Sequence, residues 1–270
     1  MCLKKVEVAI NIDNQVILIT GASSGIGHAT ALELSKHHNK LILVARRENL
    51  LAETAEQIHK NGSECIFFAG DACNKEFAEM AVAETVKKFG KIDIAQLGVG
   101  IGPPSNTLTA DADKIMKCMD FCYRTFITFW VPLIRQMKKQ KGECMISNVN
   151  SLASFFGIPM QGDYVAAKGA VRLFIETARM EMQHFNVKHI RLQTIHPGFV
   201  DTLACKDDGI PENNLISEEQ AAEYIINGYI KNKKENLFPA ATALPVRLAR
   251  RILPMWLVTK AQLSQCPKDW

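Results

Sequence analysis

Short apolar runs alternate with longer segments in which apolar residues recur at helical spacing. The apolar runs predict strands at 16–19, 40–45, 65–69, 92–97, 144–149 and 190–195. The segments between them predict helices at 25–38, 49–60, 77–89, 112–139 and 164–185. Strands that are apolar along their whole length are covered on both faces. This order predicts an α/β fold with a single doubly wound parallel sheet and helices on both faces.

Composition narrows the class of protein only modestly. Hydrophobic residues make up 47% and charged residues 22% of the 270, which is typical of a globular protein and excludes a disordered chain, a collagen or a coiled coil. The net charge of +4 is too small to indicate nucleic-acid binding. The eight cysteines include no C-x-x-C pair, so neither a metal site nor a redox dithiol is indicated. The first residues do not resemble a signal peptide, so we expect reduced thiols in a cytoplasmic protein.

A glycine-rich turn follows the first predicted strand, where such sheets bind ligands. Residues 20–27 read TGASSGIG and lead into the first helix. Glycine permits a sharp turn and close approach of the backbone, while a helix start offers free N–H groups to a pyrophosphate. The hydroxyls of Ser23 and Ser24 can add donors. A plain tight turn is the alternative.

Two arginines end the second strand and bear on the choice of cofactor. Sites for NAD usually have an acidic residue near this point, whereas Arg46 and Arg47 suit a 2′-phosphate. We therefore predict NADP(H) over NAD(H), the alternative being a solvated pair of arginines. Asp71 and Ala72 follow the third strand and could bind adenine, although Asp71 could equally cap the next helix.

The residues that could carry proton chemistry lie after the fifth strand. Ser151 is followed by Tyr164 and, four positions on, by Lys168. Tyr-x-x-x-Lys on a helix puts both side chains on one face. A nearby ammonium favours the phenolate, so Tyr164 can exchange a proton with a substrate oxygen that Ser151 also holds. Taken singly, these residues could be a capping serine, a half-buried tyrosine and a surface lysine.

A rigid turn, HPGFVDT, ends the sixth strand at 196–202. Its backbone, from Pro197 and Gly198 to Val200, could hold a carboxamide together with Thr202. We interpret His196 as structural rather than catalytic.

Taken together, residues 13–203 resemble the short-chain dehydrogenase/reductase family. The resemblance is carried by TGASSGIG, by YVAAK with Ser151 and by HPGFVDT. It implies a single Rossmann-type domain, hydride transfer at a nicotinamide, and homodimers or homotetramers. By the same resemblance we expect contacts to the cofactor from Gly21, Ser23, Gly25, Ile26 and Gly27. It also implies that Ser151 stabilises the substrate oxygen, that Tyr164 is the acid/base, and that Lys168 activates it and binds the ribose.

The chain departs from the family pattern at two places. The usual Asn-Asn-Ala-Gly after the fourth strand is absent, and residues 94–100 read IAQLGVG. Without a gap Leu97 and Gly98 take the places of the asparagines, whereas with a shift Gln96 replaces the one before Ala-Gly. Gly98 still permits close approach to the adenine ribose. The long helix also lacks the asparagine that completes the family's proton relay, because Met119 or Asp120 stands there. Turnover could therefore be slow, or protons could leave by another route.

Several segments concern packing and substrate. An aromatic band on the long helix is expected to be core or subunit interface, with members Phe121, Tyr123, Phe126, Phe129 and Trp130. Loops at 99–106 and 203–215 are expected to contact substrate, the second as a mobile lid, and Ser217 is expected to cap a helix.

We divide the chain into a dinucleotide-binding and catalytic domain at 13–235 and a C-terminal extension at 236–270. The extension is apolar and basic, so it could cover the cleft, pack on a partner subunit or lie on an anionic membrane surface; we favour packing. Either arrangement suits a lipophilic substrate, such as an acyl, sterol-like or long-chain ketone.

These observations predict an NADP(H)-dependent oxidoreductase that acts on a secondary alcohol or its ketone. A catalytically weak NADP(H)-binding sensor or scaffold is the alternative, motivated by the missing asparagines. An isomerase or dehydratase on a nucleotide sugar is less favoured, since no larger C-terminal substrate domain is evident.

Overall fold

The computed structural model describes residues 9–202 and 215–263, in which strands and helices alternate. The strands are β1 (Val16–Thr20), β2 (Lys40–Ala45), β3 (Glu64–Ala69), β4 (Ile94–Leu97), β5 (Cys144–Val149), β6 (Ile190–Pro197) and β7 (Glu235–Phe238). The helices are α1 (Gly25–Leu34), α2 (Glu48–Lys60), α3 (Lys75–Phe89), α4 (Ala112–Met119), α5 (Thr125–Met137), α6 (Gly162–His184), α7 (Glu218–Ile230), α8 (Ala240–Ile252) and α9 (Met255–Leu263). This alternation confirms the predicted α/β class.

All strand pairs are parallel, and the seven strands lie in the order β3-β2-β1-β4-β5-β6-β7. β1 and β4 lie side by side, and the chain builds outwards from them in opposite directions. Such a switch point leaves a crevice at the carboxyl ends of the two strands, where ligands bind in sheets of this kind. The predicted doubly wound parallel sheet is therefore confirmed.

The sheet separates two apolar layers, which explains why its central strands are buried along their length. α1, α2 and α7 cover one face, where Leu34, Leu51 and Ile225 are fully buried. α3, α5 and α6 cover the other, where Phe129 and Ile175 belong to the core. Burial of apolar side chains on both faces is the main source of stability in such a sheet.

Some element boundaries differ from the prediction. The first helix ends at Leu34 and continues as a 3-10 turn over Ser35–His37, and β4 begins at Ile94 rather than at 92. The long helix predicted at 112–139 is present as far as Met137, but a π-helical turn over Asp120–Arg124 divides it into α4 and α5. The spacing of apolar residues does not predict this turn, because every residue in it still belongs to a helix.

The C-terminal part adds one strand to the sheet and contains a capped helix. β7 pairs with β6, so residues 236–238 form part of the sheet. Ser217 caps α7 as predicted: its Oγ accepts from the Gln220 N–H at 3.2 Å and the Gln220 side chain accepts from the Ser217 N–H at 3.0 Å. Among the helices of 9–202 and 215–263, none combines the length and apolar character that crossing a membrane requires.

Candidate active site

A cleft of about 570 Å³ opens at the carboxyl ends of the strands. It lies at the switch point between β1 and β4 and receives residues that follow β1 to β6. The structure brings every predicted site residue to its lining: Gly21, Ser23, Ser24, Gly25, Ile26, Gly27, Arg46, Arg47, Asp71, Ala72, Gly98, Ser151, Tyr164, Lys168, Pro197, Gly198, Val200 and Thr202. Residues up to 181 positions apart along the chain thus share one site, from Gly21 to Thr202.

The glycine turn is packed too tightly for any side chain at one of its positions. A Cβ on Gly27 would lie 2.3 Å from the carbonyl oxygen of Gly21. The turn is fixed to the end of β2, because the Gly21 N–H donates to the Val44 carbonyl at 2.9 Å. The first amides of α1 have no partners within the helix, so they are available to a phosphate at this edge of the cleft. The cradle fits a dinucleotide pyrophosphate.

The two arginines after β2 occupy different places in the cleft. The Arg47 guanidinium donates to the Ser23 Oγ at 2.9 Å and to the Ser24 Oγ at 2.5 Å. The Arg46 guanidinium lies 5.2 Å from the ring centroid of Phe121, a cation–π distance. Both arginines are exposed towards the cleft, so their positive charges can face a bound anion.

The alternative role of Asp71 as a helix cap is wrong. Asn74 caps α3, since its side chain accepts from the Phe77 N–H at 2.7 Å. The Asp71 carboxylate instead accepts from the Cys73 N–H at 2.9 Å within the β3–α3 turn. Asp71 thus lines the cleft from a turn that its own side chain stabilises.

Ser151 begins a 3-10 turn over Leu152–Phe155 at the end of β5. Its Oγ accepts from the Ala153 N–H at 3.1 Å, which leaves the hydroxyl proton available to a ligand. His196 lies beneath it, fully buried, with Nδ1 3.1 Å from the Ser151 carbonyl oxygen and its ring 4.6 Å from that of Phe155. These contacts agree with the structural interpretation of His196, because the imidazole supports the Ser151 backbone.

Tyr164 and Lys168 stand one turn apart on α6 and face the cleft together. The Lys168 Nζ lies 5.6 Å from the ring centroid of Tyr164 and donates to the Val149 carbonyl at 3.0 Å. Lys168 is only 3% exposed, and this burial lowers the pKa of its ammonium, while the nearby Cys122 and Cys118 raise it. Lys168 is therefore a buried side chain, held at the end of β5 by its hydrogen bond to Val149.

The loop after β4 packs directly on the tyrosine. A Cβ on Gly102 would lie 2.3 Å from the Cγ of Tyr164, so only glycine permits this approach.

The side-chain Oε1 of Gln96, the residue that replaces a family asparagine in the shifted alignment, accepts from the Tyr229 hydroxyl at 2.6 Å. Burial raises the pKa of the Tyr229 phenol, which keeps this donor protonated. The amide of β4 thus binds α7 rather than the cleft.

Neither residue at the position of the family's relay asparagine faces Lys168 with a carboxylate or amide. The Asp120 carboxylate pairs with Arg124 at 2.6 Å, and both side chains are exposed. Met119 packs in a small apolar cluster with Tyr164.

Sequence reasoning missed several residues of the lining. The sequence predicts that Phe121 packs in the core or at an interface, whereas in the structure it lines the cleft, as do Thr125 and Asn150. Phe126, Phe129 and Trp130 do belong to the core, as predicted for the aromatic band. The π-helical turn gives no signal in the sequence that separates Phe121 from them. The predicted lid at 203–215 lies, except for its last residue, outside the described residues.

Comparison with known proteins agrees with this arrangement. The family model of short chain dehydrogenases matches residues 15–210. The chain is 35% identical over 208 residues to an 11-beta-hydroxysteroid dehydrogenase-like protein of Arabidopsis thaliana, covering 74% of this chain and 64% of that relative's length. It is 34% identical over 193 residues to an uncharacterized oxidoreductase of Listeria monocytogenes, covering 72% and 77%. It is 26% identical over 254 residues to estradiol 17-beta-dehydrogenase 11 of Rattus norvegicus, covering 93% and 82%.

Solved structures show the same fold. A short chain dehydrogenase/reductase from Burkholderia phymatum, in complex with NAD, superposes with a TM-score of 0.81 at 21% identity, covering 97% of this chain and 99% of that one. An alcohol dehydrogenase from Thermococcus sibiricus, complexed with 5-hydroxy-NADP, gives 0.74 at 23% identity, covering 83% and 95%. With the family model matching well over half of its length, this chain belongs to the short-chain dehydrogenase/reductase family.

Proposed function

We propose that this protein is an NADP(H)-dependent oxidoreductase that interconverts a secondary alcohol and its ketone. The observation that carries the proposal is that Ser151, Tyr164 and Lys168 line one cleft with the glycine turn. Membership of an oxidoreductase family supports chemistry at a CH–OH group. The intact trio favours an enzyme over the alternative of a cofactor-binding sensor.

The roles of the three side chains follow from their surroundings. Tyr164 gives a proton to the substrate oxygen during reduction and takes it back during oxidation. Lys168 supplies a positive charge one helical turn away, which favours the phenolate form. Ser151 donates its free hydroxyl proton to the same oxygen and stabilises the charge that develops there.

The cofactor site is proposed from the cradle and the arginines. A nicotinamide dinucleotide, when bound, supplies or accepts the hydride that the reaction requires. The turn around Gly27 would hold its pyrophosphate, and Arg46 with Arg47 would hold the 2′-phosphate of NADP(H), which is why we place NADP(H) before NAD(H). The turn from Pro197 to Thr202 would hold the carboxamide.

We propose a lipophilic substrate. The loop after β4 brings Val99, Ile101 and Pro103 to the cleft. α8 packs next to the 3-10 turn that begins at Ser151, and Thr242 lies against Gly198, so the start of α8 borders the substrate end. Relatives named as hydroxysteroid dehydrogenases or their likes support a bulky apolar alcohol or ketone.

We also propose that this protein is a homodimer or homotetramer in the cytoplasm. Among the described cysteines Cys65, Cys73, Cys118, Cys122 and Cys144 are free thiols, in keeping with the reducing cytoplasm. α8 and α9 expose large apolar side chains, which we assign to contact with a second copy in a homodimer or homotetramer rather than with a membrane surface.

A screen of ketones and alcohols with Tyr164→Phe as the matched variant tests the function. NADPH consumption should appear with bulky apolar ketones and fall by about 10²–10⁴-fold in the variant, the usual contribution of a positioned acid/base. Tyr123→Phe removes a hydroxyl from a partly buried tyrosine outside the cleft lining and should keep full activity. Tight binding of NADPH with no turnover on a broad panel would instead favour the sensor.

A further inference from the structure

An arginine of α6 holds the short turn that Ser151 begins, which we call the serine turn (residues 151–155). Arg172 stands one helical turn after Lys168, and its side chain is only 14% exposed. Its Nε donates to the Ser154 carbonyl at 3.2 Å, and its Nη1 donates to the Glu176 carboxylate at 2.7 Å. Because a guanidinium is a planar fork of donors, these two bonds together fix the serine turn in one direction on α6.

The ring of Phe155, the last residue of the serine turn, contacts both Arg172 and His196. The Arg172 guanidinium lies 5.2 Å from the centroid of this ring, a cation–π distance. The imidazole of His196, which is fully buried, lies 4.6 Å from the same ring between centroids. The end of the serine turn is therefore held by packing as well as by hydrogen bonds.

Ser154 joins the bond from Arg172 to the backbone of Ser151. Its N–H and its Oγ both donate to the Ser151 carbonyl, at 3.2 Å and 2.8 Å, and Ser154 is buried. The Ser151 Oγ in turn accepts from the Ala153 N–H at 3.1 Å. The hydroxyl of Ser151 is thus bonded to the same short stretch of backbone that Arg172 holds, so a shift of the serine turn would displace this hydroxyl.

Bonds to α6 lie on both sides of Ser151 along the chain. Before Ser151, the Val149 carbonyl accepts from the Lys168 Nζ at 3.0 Å. After Ser151, the serine turn accepts from Arg172. Ser151 is therefore held between two attachments to the helix that also carries Tyr164.

Two groups from separate elements must reach one substrate oxygen, since Ser151 follows β5 and Tyr164 belongs to α6. Such groups need placement within about 0.5 Å, and an error of about 1 Å can cost about 10²-fold in rate. We propose that Arg172 is a positioning residue, which holds the Ser151 hydroxyl in register with Tyr164. The inference rests on the proposed function. Arg172 is not among the described residues that line the cleft, so it acts through the serine turn rather than on the substrate.

A double-mutant cycle with Ser151→Ala tests whether Arg172 acts through the serine. With NADPH and the ketone that the screen identifies, Arg172→Met should lower kcat by about tenfold and change the dissociation constant of NADPH by less than about twofold. In the Ser151→Ala background no hydroxyl is left to position, so the same substitution should lower kcat by less than about twofold. An equal loss in both backgrounds, or no loss in the unmodified one, would overturn the proposal.

Arg179→Met is the matched control, because Arg179 anchors the same helix to a different part of the sheet. Its Nε donates to the Leu192 carbonyl at 3.2 Å and its guanidinium also donates to the Lys234 carbonyl at 2.6 Å. This variant should keep kcat within about twofold even if it lowers the melting temperature. A fall in kcat as large as that of Arg172→Met would overturn the proposal, since any arginine that anchors α6 would then serve.

Arg172→Lys goes through the same cycle if Arg172→Met fails to fold. Lysine keeps the charge and a donor but not the planar fork, so kcat should fall by about threefold in the unmodified background and stay unchanged in Ser151→Ala.

Amide hydrogen exchange measures the serine turn without any need for turnover. The peptide that spans residues 150–156 should exchange about tenfold faster in Arg172→Met and at the unmodified rate in Arg179→Met. Unchanged exchange in Arg172→Met would overturn the proposal. If no ketone is turned over but the exchange rises as expected, the proposed function fails and the attachment of the serine turn by Arg172 stands.

Discussion

Removing the guanidinium of Arg47 should change the choice of cofactor more than the affinity for dinucleotides in general. In the structure Arg47 is held by the hydroxyls of Ser23 and Ser24, at 2.9 Å and 2.5 Å, so it is already positioned before a ligand binds. A hydrogen bond to a charged group contributes about 1.5–3 kcal/mol. Arg47→Ala should therefore weaken NADPH binding by about 10–150-fold, and NADH binding by much less because NADH has no 2′-phosphate.

Isothermal titration with each reduced cofactor measures the two dissociation constants directly. Arg135→Ala is a matched control, since this exposed arginine on α5 lies outside the cleft and pairs with Glu79 at 3.8 Å. Arg46→Ala should give a similar loss, because that side chain stacks on Phe121 within the same part of the cleft. If NADH binds as tightly as NADPH to the unmodified chain, or if Arg47→Ala weakens both equally, the assignment of NADP(H) is refuted.

Three further predictions concern stability, the catalytic loop and assembly. Tyr229→Phe leaves the buried side-chain Oε1 of Gln96 without its 2.6 Å donor, so chemical denaturation should show a loss of about 1–3 kcal/mol in the free energy of unfolding. Tyr224→Phe, at a side chain 42% exposed, should change that free energy little. Gly102→Ala places a Cβ 2.3 Å from the Cγ of Tyr164, the proposed acid/base, so steady-state kinetics should show a fall in kcat of about tenfold or more with the protein still folded by circular dichroism. Light scattering should give the mass of a dimer or tetramer, and Trp256→Glu, at a side chain 65% exposed in the single chain, should lower that mass. An unchanged mass, or flotation of the unmodified protein with anionic liposomes, would contradict our assignment of the α8 and α9 surface to contact between subunits.

The sequence predicts those parts of the site that depend on neighbours along the chain. The glycine turn can be predicted because a tight turn followed at once by a helix needs glycine at fixed offsets. The structure gives the reason at Gly27, where a Cβ would lie 2.3 Å from the Gly21 carbonyl oxygen. Tyr164 and Lys168 are readable for the same reason, since a spacing of four on any helix places two side chains on one face. The order of strands and helices is readable from the period of apolar residues, because each strand must be covered on both faces.

The short strand β7 cannot be predicted from the period of apolar residues. Its four residues alternate between partly and fully buried, a pattern too short to separate from a loop, and only pairing with β6 makes it a strand. The π-helical turn at Asp120–Arg124 is hidden in the same way, because one extra residue in a helix does not alter its apolar character.

Tertiary structure alone decided which distant residues meet. Gln96 and Tyr229 are 133 positions apart and form one buried hydrogen bond. Phe121 reaches Arg46, and Cys122 reaches the surroundings of Lys168, because the π-helical turn that carries them packs against α6 beside the cleft. Local spacing fixes backbone turns and helix faces, whereas contacts between separate elements depend on how whole layers pack, and no short stretch of sequence contains that information.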